Sequence, residues 1–190
     1  NGSPRVDDGT GHILQEALDA ALEVAESVQV RRLDLADYRI AGCIDCAGCL
    51  DCCRCGINDD FNRLLPLLTA PAVGGLIIAS PVHLGSPTAQ CKAFLDRTQL
   101  LQRNGGRWRG KVGGAIAVGG GPGGGQELTV QVLHAAMLFH DMVLVQAGGT
   151  ESLRLDGPYG CTDGHPSPAC LESARRLGRR IAETALRLGG

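Results

Sequence analysis

The sequence predicts an α/β domain with a parallel sheet covered by helices on both faces, and three observations carry this prediction. Short apolar runs at 74–80, 111–119 and 142–148 are flanked by turn residues, as is typical of strands buried on both faces. Segments of helical periodicity alternate with these runs, which is the order of elements in a parallel sheet. The 190 residues contain no internal repeat or interdomain linker, so we expect one domain over 1–190.

The first half of the chain predicts a helix, a strand, a loop and a second helix. Residues 11–27 repeat apolar side chains at helical spacing and so predict an amphipathic helix. Residues 28–35 alternate well enough for a strand, and a cysteine-rich loop, the cysteine loop, follows at about 42–57. Residues 61–70 predict a helix that Pro66 breaks or kinks, unless the proline lies in the first turn of a second segment.

The second half predicts three helices between and after the buried runs. Ser86 or Pro87 opens a helix that continues over 88–101. A strongly helical segment at 126–140 follows the second run and a glycine burst. The tail at 167–190 ends as an amphipathic helix with arginines on its outer face.

Composition and charge argue against some classes of binding partner and indicate where the protein is located. The formal net charge is −2 and the pI is about 6.2, so the chain gives no electrostatic case for nucleic acid or an anionic membrane. No apolar run approaches the roughly 20 residues of a membrane span, so we predict no membrane partner. Nine cysteines without a visible secretory signal indicate a reducing, cytoplasmic location, where close cysteines are more often metal ligands or redox groups than disulfides. We interpret Cys91 as a small buried hydrophobe, and Cys161 and Cys170 as unpaired thiols.

Four cysteines in the cysteine loop are the strongest chemical signal in the chain. Their spacing is Cys43-x2-Cys46-x2-Cys49-x5-Cys55, so all four thiolates can reach one small inorganic centre. Soft sulfur ligands select an iron–sulfur cluster, zinc or copper(I) over hard cations. Zinc usually takes two well-separated pairs of cysteines, whereas the successive x2 spacings here are closer to those of ferredoxin loops. The spacing favours an iron–sulfur cluster and leaves zinc and a disulfide or thiol role open.

The fourth ligand is ambiguous from spacing alone. Cys52 and Cys53 lie inside the same loop, and either could serve geometrically. Cys53 even reproduces the x3 spacing of ferredoxins, but no proline follows it.

Three strand-to-helix loops offer a ligand site, because ligands bind at the carboxyl ends of the strands of such a sheet. The first, residues 1–11, places Ser3, Arg5 and Thr10 with flexible glycines at a helix N-terminus, a combination that suits a phosphate. It is neither a Walker loop nor a GxGxxG fingerprint, so NTP and dinucleotide interpretations lack support. An ordinary capped loop is the alternative.

The other two loops directly follow buried strands. Residues 80–90 contain prolines and Gly85, which restrict the loop backbone. The backbone amides of this loop can face a flat heterocycle. Residues 119–127 are rich in glycine, which lets a backbone approach a ligand closely. A mobile loop of no specific use is the alternative for the third loop, and the shared position of all three at one sheet edge argues against it.

Taken in order, these motifs resemble one known family. They are NGSPR at the start, the cysteine motif followed by Asp59 and Asp60, SPVxxGSPTAxxKAFLDR from Ser80, and a glycine loop before Gln126 and Glu127. Over nearly its whole length the chain resembles the iron–sulfur flavoproteins of the flavodoxin-like, NAD(P)H-dependent FMN reductase superfamily. The resemblance implies a flavodoxin-like, doubly wound five-stranded parallel sheet of order 2-1-3-4-5, with the cysteine loop after the second strand. It also implies non-covalent FMN, a 4Fe–4S cluster and a homodimer or homotetramer.

The same resemblance assigns site residues position by position. Four positions match the cluster ligands: Cys43, Cys46, Cys49 and Cys55. Cys55 is preferred as the fourth because its distance to Asp59 and Asp60 fits the family. The positions implied to hold FMN form three groups, for the phosphate, one edge of the ring and its other edge: Ser3, Arg5, Gly9 and Thr10; Ser80, Pro81, Val82, His83, Leu84 and Gly85; Gly119, Gly120 and Gly121. His83 stands where the family commonly has an aromatic ring, and it is the candidate for a flavin contact and for catalytic proton transfer.

The chain departs from the family's pattern at two points. The family's phosphate loop usually carries Gly-Asn-Thr, where this chain has Asp8, Gly9 and Thr10 after Asp7. Carboxylates near a phosphate are unfavourable unless they point to solvent. The first strand, expected in the centre of the sheet, would lie before Asn1, so we predict roughly ten further residues there.

The favoured interpretation is an oxidoreductase with FMN and a 4Fe–4S cluster that transfers electrons between a reduced donor, NAD(P)H or ferredoxin, and an unknown acceptor. One alternative is a cluster-free NAD(P)H-dependent FMN, quinone or nitro reductase. Another is a non-enzymatic electron-transfer carrier. The sequence has no readable nicotinamide motif, so neither the donor nor the acceptor follows from it.

Overall fold

A largely parallel sheet forms the middle layer of the molecule, and helices pack against both of its faces. The structure is a computed structural model that describes residues 1–50, 52–121, 123–148 and 166–189, together with the backbone of 161–162. The helices and strands are α1 (Gly9–Leu22), α2 (Phe61–Leu68), β1 (Gly75–His83), β2 (Ser86–Pro87), α3 (Ala89–Arg103), β3 (Val112–Gly119), α4 (Gln126–Phe139), β4 (Val143–Leu144), β5 (Cys161–Thr162) and α5 (Pro168–Arg187).

The longest strand pairing joins β1 and β3 in parallel, with residues 75–81 opposite 112–118. Every residue of β3 is buried, which is the pattern of a strand covered on both faces. The short strands β4 and β5 are also parallel to β3 and pair with opposite ends of it. β2 pairs antiparallel with β1 in a tight hairpin, so the sheet order is β2-β1-β3-β4, with β5 also on β3.

Two apolar cores lie on opposite faces of this sheet, because alternate residues of a strand point to opposite sides. One core packs α2, α3 and α4 against the face that carries Ala115 and Ala117. The other packs α1 and α5 against the face that carries Ile116 and Val118. The predicted α/β layering is therefore confirmed. Among the described residues, no helix has the length and apolar character that a membrane crossing needs.

Several predicted element bounds are wrong. α1 ends at Leu22, and the third buried run forms only the two-residue strand Val143–Leu144. α2 runs through Pro66 to Leu68, so the expected break there is absent. Pro66 is exposed, so its ring faces solvent, and its main cost is the hydrogen bond that its missing N–H cannot donate.

The predicted second strand, residues 28–35, is not part of the sheet. The described residues therefore do not form the expected sheet of five parallel strands in the order 2-1-3-4-5. The C-terminal end of the segment 28–35 nevertheless lies near β1, because Asn1 and Gly2 connect the two. The Asn1 amino group donates to the Leu33 carbonyl at 2.7 Å, and the Gly2 N–H donates to the Ala79 carbonyl at 2.6 Å.

A cavity of about 640 Å³ lies between residues 28–33 and the start of β1. In the described part of the chain, Leu33 bonds to Asn1 and no strand lies beside residues 28–33, so these residues form no ladder.

The cysteines outside the cysteine loop differ from one another. Cys91 is fully buried, and burial raises the pKa of its thiol to about 11, in agreement with its interpretation as a small hydrophobe. Cys170 is disulfide-bonded, so the expectation of an unpaired thiol there is wrong. The side chain of Cys161 lies outside the described part of the chain.

Candidate functional site

Three loops, residues 2–10, 80–88 and 119–126, lie together at the carboxyl ends of β1 and β3, and we call them the ligand loops. Thr88 joins the first to the second, since its Oγ1 donates to the Gly2 carbonyl at 2.6 Å and its N–H donates to Ser80 Oγ at 3.1 Å. The predicted sheet edge therefore does bring these loops together.

In the first ligand loop, the residues predicted to bind phosphate surround the N-terminus of α1. Ser3 and Thr10 are buried, Gly9 is half-buried and Arg5 is exposed. The Arg5 N–H donates to Ser3 Oγ at 3.1 Å, which fixes the turn between them. A buried hydroxyl and the free N–H groups of a helix N-terminus are suitable donors to an anion.

Asp8 points into this loop rather than to solvent. Ser3 Oγ donates to Asp8 Oδ2 at 2.5 Å, and the Gly11 N–H donates to Asp8 Oδ1 at 2.9 Å. Asp8 is thus the N-cap of α1, and its carboxylate uses donors that a bound anion would also use. The departure from the family's pattern at Asp8 therefore lies inside the candidate site.

The second ligand loop is a β-hairpin rather than the expected start of a helix. His83 pairs with Ser86 across the turn, and α3 begins only at Ala89. Leu84 and Gly85 form the turn with φ angles of 52° and 73°, in the left-handed region that favours glycine. A leucine in this region is strained, so the surrounding hairpin must hold it there.

Burial along the hairpin decreases from the sheet to the turn. Ser80 is fully buried, Pro81 and Val82 are half-buried, and His83 and Leu84 are exposed. His83 is therefore open to a ligand or to a second molecule. Leu84 is a fully exposed apolar side chain at the rim of the site.

The third ligand loop leaves the end of β3 as three glycines: Gly119 is buried, Gly121 half-buried and Gly120 exposed. Gln126 Nε2 donates to the Gly121 carbonyl at 2.7 Å. Gln126 Oε1 is buried and has no hydrogen-bond partner among the described residues. A buried acceptor of this kind is normally satisfied, so it indicates a donor that a ligand or water supplies.

Gly125 brings the third ligand loop against the second. Its φ is 97°, and a Cβ at this position would lie 2.9 Å from Gly85 Cα and 3.2 Å from Val82 Cγ1. Only glycine accepts both this backbone conformation and this approach.

The cysteine loop is largely exposed. Cys43, Cys46, Cys52 and Cys53 are exposed, whereas Cys49 and Cys55 are half-buried. Within the described residues, no three His, Cys, Asp or Glu side chains lie close enough together to hold a metal ion. The four sulfurs do not converge in this conformation, so the ligand set Cys43, Cys46, Cys49 and Cys55 stays a prediction.

Two asparagines attach the half-buried cysteines to helices through the backbone. Asn62 of α2 accepts from the Cys55 N–H at 2.8 Å and donates to the Cys55 carbonyl at 2.9 Å. Asn104, which caps the C-terminus of α3, donates to the Cys49 carbonyl at 2.8 Å.

A buried ion pair closes the base of the cysteine loop. Arg97 of α3 donates to both carboxylate oxygens of Asp59, at 2.7 and 3.0 Å, and to the Ala41 carbonyl at 2.9 Å. The Ala41 N–H donates back to Asp59 at 2.9 Å. Burial would raise the pKa of Asp59, but these hydrogen bonds and the Arg97 charge hold it below its usual range.

Sequence reasoning missed Asn62, Arg97, Asn104 and Gln126 as residues of the site, and also Arg103, whose Nη1 lies 3.7 Å from Cys49 Sγ. A signal existed for Arg97, because it follows Phe94 by three residues and precedes Leu101 by four, on the apolar side of a predicted helix. A charge on that side needs a buried partner. The partner lies 38 residues earlier in the chain, so no local pattern reveals it.

Comparisons with known proteins agree on the family. A family model described as NADPH-dependent FMN reductase matches residues 1–150. An iron-sulfur flavoprotein of Methanocaldococcus jannaschii is 37% identical over 190 residues, covering 96% of this chain and 93% of that protein. An iron-sulfur flavoprotein of Methanosarcina thermophila is 37% identical over 147 residues, covering 76% of this chain and 74% of that protein. An NAD(P)H dehydrogenase (quinone) of Trichlorobacter lovleyi is 36% identical over 127 residues, covering 60% of this chain and 62% of that protein.

A solved structure supports the fold. A WrbA-like flavodoxin from Agrobacterium tumefaciens has a TM-score of 0.59 and 24% identity, and covers 94% of this chain and 92% of that one. The flavodoxin-like fold and the matches above define a flavoprotein oxidoreductase. The chain belongs to the NADPH-dependent FMN reductase family.

The ligand loops fit FMN in part. A Cβ added at Gly120 or Gly121 would meet no atom within 4 Å. The backbone at these two glycines is therefore open to a flat ring, beside the Gln126 Oε1 that has no hydrogen-bond partner among the described residues. The first ligand loop has the donors for a phosphate, with Asp8 as an internal competitor. The resemblance implies that the first loop would hold the phosphate and the other two the ring.

Proposed function

We propose that this flavoprotein is an oxidoreductase that binds FMN at the ligand loops and a 4Fe–4S cluster at the cysteine loop, and passes electrons between them. One observation carries the proposal. α3 begins at the second ligand loop, where Thr88 caps it, and its other half holds the cysteine loop through Arg97 and Arg103. One rigid helix therefore fixes the two sites relative to each other.

FMN supplies two-electron chemistry and an iron–sulfur cluster supplies one-electron transfer, so together they connect two-electron and one-electron partners. The residues of the chain bind and orient these groups. Backbone amides of Gly119, Gly120 and Gly121 and the hairpin at Ser80 to Gly85 would line the two edges of the flavin ring. Cys43, Cys46, Cys49 and Cys55 would ligate the cluster, and His83 would contact the ring from the exposed end of β1.

A second copy of the chain belongs to the proposal. The 15 residues of α3 span about 22 Å, so the ligand loops and the cysteine loop of one chain are well separated. Large apolar side chains are exposed at both places: Leu84 on the ligand loops, and Ile44 and Leu50 on the cysteine loop. In a homodimer or homotetramer, the ligand loops of one copy would cover the cysteine loop of another. Light scattering of the wild type and of Leu84→Ser with Ile44→Ser tests this, and a wild-type monomer would contradict it.

The donor is NAD(P)H or ferredoxin in this proposal, and the acceptor stays open. The family model's description supports NADPH. The exposed thiols and the proposed cluster favour a reducing compartment, so we place the protein in the cytoplasm, where the disulfide at Cys170 is an exception to the usual pattern. A cluster-free NAD(P)H-dependent quinone reductase is the second candidate, favoured by the similarity to an NAD(P)H dehydrogenase (quinone).

Anaerobic purification with flavin, iron and sulfide measured per chain tests the proposal. We expect about one FMN and about four irons with matching sulfide. Cys55→Ser should lose iron and keep FMN, whereas the matched variant Cys53→Ser should keep both. FMN with NAD(P)H–quinone turnover but no iron would instead establish the second candidate. Reduction only by ferredoxin, without NAD(P)H turnover, would make the protein an electron carrier.

A further inference from the structure

We propose that Arg97 and Arg103 of α3 donate hydrogen bonds to the sulfurs of Cys55 and Cys49, and so act as positioning residues that preset half of the cysteine site and raise its reduction potential. This inference rests on the proposed function, because it deepens the role of the cysteine loop. The two arginines, six positions apart on one helix, face the two cysteines that are not fully exposed.

Arg97 has one donor to spare. Its side chain is 1% exposed, and its two terminal nitrogens are used by Asp59 and the Ala41 carbonyl. Its Nε is buried and finds no acceptor in the described part of the chain. Its guanidinium carbon also lies 4.8 Å from the centre of the Phe61 ring, so the group is held from several sides.

In the proposed site, the Cys55 sulfur becomes the acceptor that this donor lacks. Leaving a buried N–H of a charged group unpaired is costly. The Arg97 guanidinium lies within interaction range of the Cys55 sulfur as well as of Asp59. Because Asn62 fixes the Cys55 backbone on both sides, the sulfur can move only by rotation of its side chain.

Arg103 contacts the Cys49 sulfur directly. Its Nη1 lies 3.7 Å from Cys49 Sγ, and its Nη2 lies 3.4 Å from Asp45 Oδ1. The neighbouring Asn104 fixes the Cys49 carbonyl, so both the backbone and the sulfur of this cysteine are attached to α3.

Two cations beside two thiolates have a defined electrostatic consequence. A cluster held by four thiolates is negatively charged, and reduction adds one more negative charge. Donors and positive charges at the sulfurs stabilise the reduced form and raise the potential. Cys43 and Cys46, which are exposed, would then close onto the preset pair.

The test compares Arg103→Gln with Arg175→Gln, which removes the same charge from α5 on the other face of the sheet, where Arg175 pairs with Glu16. Arg103 is partly exposed, so its loss should leave the fold intact. We expect Arg103→Gln to keep its iron and FMN content and to lower the midpoint potential of the cluster, without moving that of the flavin. Arg97→Lys keeps the charge beside Asp59, lacks the Nε donor, and should lower the cluster potential as well.

Zinc affinity of the metal-free protein is the second readout. We expect Arg103→Gln to weaken zinc binding about fivefold and Arg175→Gln to leave it unchanged. The inference is supported if Arg103→Gln changes the cluster potential or the zinc affinity and Arg175→Gln changes neither. It is overturned if Arg103→Gln leaves both the cluster potential and the zinc affinity unchanged. A wild type that assembles no cluster refutes the proposed function instead, and the zinc measurement then decides the inference by itself.

Discussion

The ligand loops and the cysteine loop both lie against α3, yet they are held in different ways. In the ligand loops, Ser3, Ser80, Thr88 and Gly119 are buried, and hydrogen bonds join one loop to the next. In the cysteine loop, residues 41–48 are all exposed, and the attachments to the fold are confined to its base and to two cysteines. The fold by itself therefore forms the ligand loops, whereas the cysteine loop is left for the proposed metal centre to complete.

The largest effect should come from breaking the base of the cysteine loop. Arg97→Met leaves the Asp59 carboxylate half-buried without its cation, which should destabilise the protein by about 3 kcal/mol or more. Iron should be lost, while FMN affinity of the remaining folded protein stays within about twofold. Urea unfolding and cofactor analysis measure both.

Lys92→Met is the matched control, because Lys92 forms an exposed pair with Asp96 on the same helix. Its cost should stay below about 1 kcal/mol. Full iron content in Arg97→Met would show that iron binding does not depend on the ion pair at the base of the cysteine loop.

Gly125→Ala should damage the ligand loops and leave the cysteine loop unchanged. The left-handed backbone and the approach to Gly85 should together weaken FMN binding about tenfold. Gly123→Ala is the control, since its φ is 66° but a Cβ there would meet no atom within 4 Å. Titration of the apoprotein with FMN measures the difference, and equal losses in the two variants would mean that the contact between the loops is unimportant.

Asp8→Asn should strengthen FMN binding about fivefold, because it removes a negative charge beside the proposed phosphate position while asparagine still caps the helix. Riboflavin, which has no phosphate, serves as the control ligand, and its affinity should not change. A similar gain for both flavins would place the effect of Asp8 elsewhere than at the phosphate.

His83 should give the smallest effect, since it is exposed at the edge of the site. His83→Ala should weaken FMN binding about threefold through the lost ring contact, and His83→Phe should restore it. Steady-state turnover distinguishes the two roles proposed for this residue. Full turnover in His83→Phe indicates packing alone, and a loss of turnover with unchanged affinity indicates proton transfer.

The sequence predicted the layers of the fold well and its strand pairing poorly. The buried runs that became β1 and β3 were recognisable because a strand covered on both faces needs a continuous apolar run. Residues 28–35 have the alternation of a strand but no backbone partner along most of their length, so they remain outside the sheet. The hairpin at Ser86 was missed because Thr88, not Ser86 or Pro87, caps α3.

What the sequence determined by itself is local: helical and strand periodicity, the glycines at turns, and a set of cysteines close enough to share one centre. What only the tertiary structure decided is which distant residues meet: Arg97 with Asp59, Asn104 with Cys49, Thr88 with Gly2, and the inward direction of Asp8. The physical reason is that periodicity and spacing depend on neighbours along the chain. Hydrogen bonds and ion pairs in a packed protein instead depend on which elements the two apolar cores bring together.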